Sequence, residues 1–380
     1  MDKSTLFQEF STIFGYAADG AVKSPGRVNI IGEHTDYNEG FVFPCALNFA
    51  TTTVYKKRGD KTVRVRSLNF KDAEVSFELN KDIKSAKPAW SNYVRGVALT
   101  MLKQGLELDG ADLLIYGDVP LGSGLSSSAA LELSVGGAFN EISNLGLHKT
   151  TMALIGQQAE NEFLGCQCGI MDQMISAHGE EDHALLIDCR DLNIESVPLP
   201  RDIAIIIINS NYKRQLVGSE YNLRREQCEQ AAEIMQVKML RDATVELLEK
   251  HKSEMSDVIY RRARHVITEN HRTLEVVDAL KAKDMSKVYE NMAASHDSMR
   301  DDFEITVPEI DSLVQTAQEA LGDQGGARMT GGGFGGAIVA LCPPAMAQSV
   351  IAKVEAQYQK EFGIKASSHI CSASDGLHKL

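Results

Sequence analysis

The sequence predicts an α+β protein of two domains, residues 1–190 and 191–380. Three observations carry that reading. The 380 residues exceed what one hydrophobic core fills, since single cores stop growing at roughly 250–300 residues. The first half alternates strand-like and helix-like segments across glycine-rich junctions. The second half turns to long, charged, amphipathic helices around short apolar strands.

Taken in order, a polar start and an amphipathic segment lead into Ala21–Ile31, which is rich in β-formers. Phe41–Leu47 is apolar, with Pro44 marking a bend. Thr51–Arg58 and Thr62–Ser67 read as strands separated by the turn Arg58-Gly59-Asp60. Trp90–Lys103 places Tyr93, Val94, Val97 and Met101 at helical spacing, and Ala111–Tyr116 returns to a strand. A Gly/Ser-rich loop follows, then a helix rich in alanine and leucine, Ala129–Phe139. Ile203–Ile208 is uninterrupted apolar sequence and reads as a buried strand; it is far short of the ~20 residues that cross a bilayer as a helix. Helices are expected over Asn222–Lys250, Asp257–Ala282 and Met285–His296, with Pro308 in the first turn of another. The glycine cluster Gly325–Gly336 precedes the apolar strand Ala337–Cys342, and a helix over Met346–Phe362 follows. There is no internal repeat and no low-complexity linker, so the two halves are expected to pack firmly together.

Composition narrows the function. A hydrophobic content of 43% excludes a disordered chain. A net charge of -13 lacks the positive footprint of a nucleic-acid or anionic-membrane binder. The polar start Met1–Thr5 has no apolar stretch of a signal peptide behind it. Cys45, Cys166, Cys168, Cys189, Cys228, Cys342 and Cys371 form no C-x-x-C pair and read as reduced thiols. The expectation is a monomer in the cytoplasm with neither nucleic-acid nor membrane partners.

The sharpest feature is Pro120-Leu-Gly-Ser-Gly-Leu-Ser-Ser-Ser-Ala-Ala130, between an expected strand and an expected helix. Gly122 and Gly124 let the backbone approach a ligand, and Ser126, Ser127 and Ser128 offer caps and hydroxyls. A helix N-terminus adds free N–H groups and a positive dipole end, which suits a phosphate. No lysine follows Gly124, so this is not a Walker A loop. Ser127 stands where the third glycine of a dinucleotide fingerprint would be. Alone, the loop says only that an anion binds; a plain strand–helix connection is the alternative.

Gly26-Arg-Val-Asn-Ile-Ile-Gly-Glu-His-Thr-Asp-Tyr37 concentrates polar groups beside a strand. Arg27 and Asn29 alternate with Val28 and Ile30, which puts them on one face. Glu33, His34 and Asp36 then follow on a loop, an array of donors and acceptors suited to several sugar hydroxyls. A solvated loop and a metal site are the other readings of these residues.

The three glycine-rich stretches together resemble the GHMP small-molecule kinase family. Gly26–Tyr37, continuing to Pro44, is similar to the signature of its galactose-phosphorylating members. Gly122–Ala130 resembles the ATP-phosphate loop, and Gly331-Gly-Gly-Phe-Gly-Gly336 the third motif. Smaller matches lie in Cys168–Gln173, Arg261–Asn270 and Ser295–Glu304, so the resemblance spans the chain. It implies an N-terminal domain resembling part of ribosomal protein S5, a ferredoxin-like C-terminal domain, and an active site in the cleft between them. It also implies that the segment around Ile370–Leu380 returns to the first domain.

By the same resemblance, the activity is transfer of a phosphoryl group from ATP, with Mg²⁺, to the anomeric hydroxyl of galactose. Asp172 is the implied base and Arg27 its neighbour. Glu33, His34, Thr35, Asp36, Gly169 and Tyr221 are the implied sugar contacts. Ser67, Gly122, Ser123, Gly124, Leu125, Ser126, Ser127 and Ser128 are placed on the nucleotide, and Ser128 with Glu160 on the metal. Other members act on N-acetylgalactosamine, arabinose, mevalonate or homoserine, and the Glu33–Asp36 array disfavours the last two. A non-catalytic sugar sensor would be expected to have lost the loop or the base, and both are present.

Overall fold

The computed structural model describes residues 1–70, 74–120, 122–212 and 217–380. In the N-terminal half, α1 (Lys3–Phe14), β1 (Gly20–Ile31), β2 (Phe41–Lys57), β3 (Thr62–Ser67), β4 (Val75–Glu78) and α2 (Ser91–Lys103) come first. They are followed by β5 (Ala111–Gly117), α3 (Ser127–Ile142), α4 (Lys149–Ala159), α5 (Met171–His178), β6 (His183–Asp188) and β7 (Asn193–Pro198). The C-terminal half contains β8 (Ala204–Asn209), α6 (Val217–Ile234), α7 (Val245–Lys250), α8 (Asp257–Ala282), α9 (Met285–Ser298) and α10 (Pro308–Leu321). Then come β9 (Gly326–Thr330), β10 (Ala337–Cys342), α11 (Pro344–Phe362), β11 (Ser367–Cys371) and β12 (His378–Lys379).

The strands form two sheets. The first runs β12-β1-β2-β5-β3-β4, antiparallel except for the parallel β3–β5 pair; β6 joins the start of β2 and carries β7. The second is β11-β8-β10-β9, antiparallel throughout. The chain therefore crosses back at its end: β11, which contains Ile370, stays in the second sheet, while β12 pairs Val22 with Lys379.

Alternation of side chains along each strand builds the cores. On β1, Val22 faces α2, α3 and α5 with Tyr55 and Leu113, whereas Ala21 faces α1 with Val54 and Leu114. On β8, Ile206 and Ile208 pack beneath α6, α8, α10 and α11. Ile205 and Ile207 pack with Val28, Ile30 and Phe43 of the first sheet. Each such side chain contributes about 1.5–3 kcal/mol on burial, so a shared apolar layer joins the two halves as expected. Among the described residues no helix is long and apolar enough to cross a membrane, and all seven cysteines are free.

Three expectations change. Pro44 does not bend the chain between two strands; β2 runs through it, and Pro44 pairs with Asn29 beside a register shift that absorbs its missing N–H. Asn222–Lys250 is not one helix: α6 ends at Ile234 and a single helical turn, Leu240–Asp242, separates it from α7. The glycine cluster contains a strand, β9, which is fully buried and pairs with β10.

Candidate active site

The loop between β5 and α3 meets the end of β1 and the start of α5 at one cavity of about 250 Å³. Arg27, on β1, is 4% exposed, and its guanidinium spans the two neighbours. Nε donates to Asp172 Oδ1 at 2.8 Å and Nη2 to Oδ2 at 2.9 Å, a bidentate pair. Nη1 donates to the carbonyl of Gly124, and the Arg27 backbone N–H donates to Leu125 O at 3.0 Å. Asp172 lies in the first turn of α5 and also accepts the hydroxyl of Ser126. Ser126 takes a left-handed backbone conformation, φ 59°, rare outside glycine, which turns the chain into α3.

On the other side of Asp172 sits the polar turn after β1. Glu33 is buried; its Oε1 accepts the backbone N–H of Gly331 at 2.8 Å and lies 3.4 Å from Arg328 Nη1. Burial raises its pKa, against the opposing charges of Arg328 and Arg27. His34 Nδ1 is 2.7 Å from the Tyr37 hydroxyl, and its ring packs 4.9 Å from that of Tyr221 on α6. Burial, then the nearby His265, lowers its pKa to about 3, so this imidazole is neutral. Asp36 accepts the N–H of Tyr37 and, at 3.4 Å, that of Met171. Burial and then the Asp172 charge raise its pKa to about 6. A Cβ on Gly169 would overlap the Asp36 carboxylate, so only glycine permits this approach.

Glu160 opens a single π-helical turn, Glu160–Leu164, that continues α4 and lines the cavity near Ser128. It shares hydrogen bonds with Ser128 and Cys168 and accepts Gln173 Nε2 at 2.9 Å. Burial, then Asp172, raises its pKa to about 7. Among the described residues no lysine, arginine or histidine pairs with this half-buried carboxylate. A carboxylate and a hydroxyl suit a hard and partly hydrated metal ion. Among the described residues no cluster of three or more His, Cys, Asp or Glu side chains offers a metal cage, so phosphate oxygens and water would have to complete the shell.

A second cavity of about 230 Å³ adjoins the first across Ser127 and Ser128. Its walls include Ser67, Asn69, Tyr93 and Leu131, and the rings of Phe70 and Trp90 lie parallel, 4° apart in plane and 6.0 Å between centroids.

Residues 8–57 match the galactokinase galactose-binding signature. Residues 92–180 match the GHMP kinase N-terminal domain and 276–360 the GHMP kinase C-terminal domain. The crystal structure of Lactococcus lactis galactokinase complexed with galactose is 38% identical, with a TM-score of 0.95 over 99% of both chains. The chain belongs to the galactokinase family of GHMP kinases.

More distant structures share the fold alone. Mevalonate kinase from Methanococcus jannaschii is 16% identical, with a TM-score of 0.66 over 93% of this chain and 98% of its own. Homoserine kinase from Cytophaga hutchinsonii is 17% identical, with a TM-score of 0.61 over 95% of this chain and 97% of its own.

Within this galactokinase fold, Arg27, Asp172, Glu33, His34, Asp36, Gly169, Tyr221, Glu160 and Gly122, Gly124, Leu125, Ser126, Ser127 and Ser128 line the first cavity. Two expected contacts line neither cavity, and a third lines the second. Thr35 is fully buried, with its hydroxyl 3.0 Å from Gly32 O and 2.6 Å from Phe41 O, where it braces the turn. Ser123 is likewise buried and donates to Pro120 O at 2.6 Å. Ser67 lies in the second cavity. Leu121 of the loop is outside the described residues. Sequence reading missed Trp90 and Phe70 as cavity residues, although Trp90 is the sole tryptophan. The third motif reaches this loop: a Cβ on Gly331 (φ +83°) would sit 2.9 Å from Gly124 O, so this glycine packs directly on the 120–130 loop.

Proposed function

We propose that the protein transfers the γ-phosphoryl group of ATP to the C1 hydroxyl of galactose, giving galactose 1-phosphate and ADP, with Mg²⁺ as the required ion. The Arg27–Asp172 pair, at the junction of the phosphate loop and the sugar-reading turn, carries this reading. Phosphoryl transfer asks for positioning and charge stabilisation rather than covalent help.

Asp172 accepts the proton of the C1 hydroxyl as its oxygen bonds to the γ-phosphorus and the bond to the ADP oxygen breaks. Arg27 fixes both carboxylate oxygens of Asp172 and contributes positive charge where negative charge builds. The N–H groups opening α3 receive phosphate oxygens. Ser128 and Glu160 would hold the metal ion, which would neutralise charge on the phosphates. Glu33, His34, Asp36, the backbone of Gly169 and the hydroxyl of Tyr221 read the sugar. The adenine enters the second cavity against Trp90 and Phe70.

The test is phosphorus–proton NMR of the product made from galactose and ATP. Coupling of the new phosphorus to the anomeric proton supports this regiochemistry. Coupling to the C6 protons contradicts it.

A further inference from the structure

The turn that opens the sugar-reading stretch is held from behind by a carboxylate of the C-terminal half. Glu269, on α8, is 0% exposed and does not line the cavity. Its Oε1 accepts the backbone N–H of Gly32 at 3.0 Å, that of Glu33 at 3.3 Å and the Ser295 hydroxyl at 2.6 Å. Its Oε2 accepts Arg272 Nε at 2.7 Å, and Arg328 Nη2 lies 3.8 Å from Oε1. Burial pushes the Glu269 pKa up, but Arg272, His265 and Arg328 outweigh it and bring it to about 2, so the group is an anion.

The turn has little slack. Gly32 has φ +96°, and a Cβ there would lie 2.8 Å from Phe41 O. Arg328 donates to the carbonyls of Asn29 at 3.2 Å and Ile30 at 3.0 Å, which secures the strand just ahead of it. Two successive N–H groups on one ionised acceptor form charge-assisted hydrogen bonds, and removing that acceptor strands both donors in the interior. The phosphate loop is held by other contacts, to Arg27 and Gly331.

We propose that Glu269 is a positioning residue that fixes the Gly32–Glu33 turn and thereby sets affinity for the sugar without touching it. This rests on the galactose-phosphorylating function proposed above. Loss of Glu269 therefore weakens the sugar side of the cleft and spares the nucleotide side.

The experiment measures KM for galactose and for ATP in wild type, Glu269→Ala, Glu269→Gln and Ser295→Ala, with thermal unfolding of each. Glu269→Ala is expected to raise the galactose KM about tenfold, a loss of about 1.4 kcal/mol, and to leave the ATP KM within about twofold. Glu269→Gln, which keeps an acceptor oxygen, should recover part of that loss. An unchanged galactose KM, or galactose and ATP KM rising together, overturns the proposal. Should Glu269→Ala fail to fold, Ser295→Ala carries the test, with a galactose-only rise of about threefold expected, about 0.65 kcal/mol, and an equal rise for both substrates contradicting it. Wild-type protein inactive on galactose would sink the functional reading itself, whereas active variants with wild-type galactose KM would sink only this inference.

Discussion

Arg27 grips Asp172 through both carboxylate oxygens, at 2.8 Å from Nε and 2.9 Å from Nη2, while its third nitrogen holds the carbonyl of Gly124. One side chain thus ties the proposed base to the loop proposed to receive the phosphates. The fork suits arginine alone: a lysine offers a point charge without the planar pair of donors.

Asp172→Asn should bind ATP near normally and lose turnover by about 10³-fold, within the range general-base removal costs. Arg27→Lys should lose about 10²-fold in kcat because the base is no longer held in place. Isothermal titration with a non-hydrolysable ATP analogue, beside steady-state kinetics, checks both. Near-normal turnover in Asp172→Asn would remove it from the role of base.

Gly169→Ala should lower kcat/KM for galactose on the order of 10- to 100-fold, the cost of displacing a substrate-orienting group. The added methyl overlaps the Asp36 carboxylate, and Asp36 must retreat from the cavity. Kinetics with both substrates would read this as a galactose defect; a defect confined to ATP would contradict the placement.

Asp36 supplies a pH dependence. Its pKa is raised to about 6 by burial and then by Asp172, so it is ionised above that pH and protonated below it. If Asp36 accepts sugar hydroxyls as proposed, that ionised acceptor is lost as pH falls through this value. The galactose KM should rise about tenfold between pH 7 and pH 5 for one group of this pKa. In Asp36→Asn the KM should start high and stay flat over the same window; a wild-type slope in that variant would assign the titration elsewhere.

Removal of divalent metal with EDTA should abolish turnover, and Mg²⁺ should restore it. Ser128→Ala and Glu160→Gln should each raise the Mg²⁺ concentration giving half-maximal activity, on the order of tenfold. Metal titrations of the three proteins check this, and unchanged metal dependence in both variants would move the ion away from these side chains.

Local pattern made much of this legible. β8 and α8 fall within a residue of their sequence-derived bounds, because uninterrupted isoleucines and a capped amphipathic run leave few alternatives. The 120–130 loop stands out for its glycines and serines. What stayed hidden depends on contacts distant in sequence. Glu269 and Arg328 look like surface charges on a polar helix and a glycine-rich strand until the fold buries both against Glu33 and its turn. Thr35 sits among cavity residues in sequence, yet its hydroxyl is taken by two carbonyls of its own turn. β9 was masked by the glycines around it; pairing with β10, not strand propensity, makes it a strand.

The most direct measurement is ADP release from ATP in a coupled assay with galactose, N-acetylgalactosamine, glucose and arabinose, each with and without Mg²⁺. Magnesium-dependent turnover with galactose far above the other sugars is the predicted result. Silence on every sugar from folded protein that still binds ATP, or faster turnover on N-acetylgalactosamine than on galactose, would contradict it.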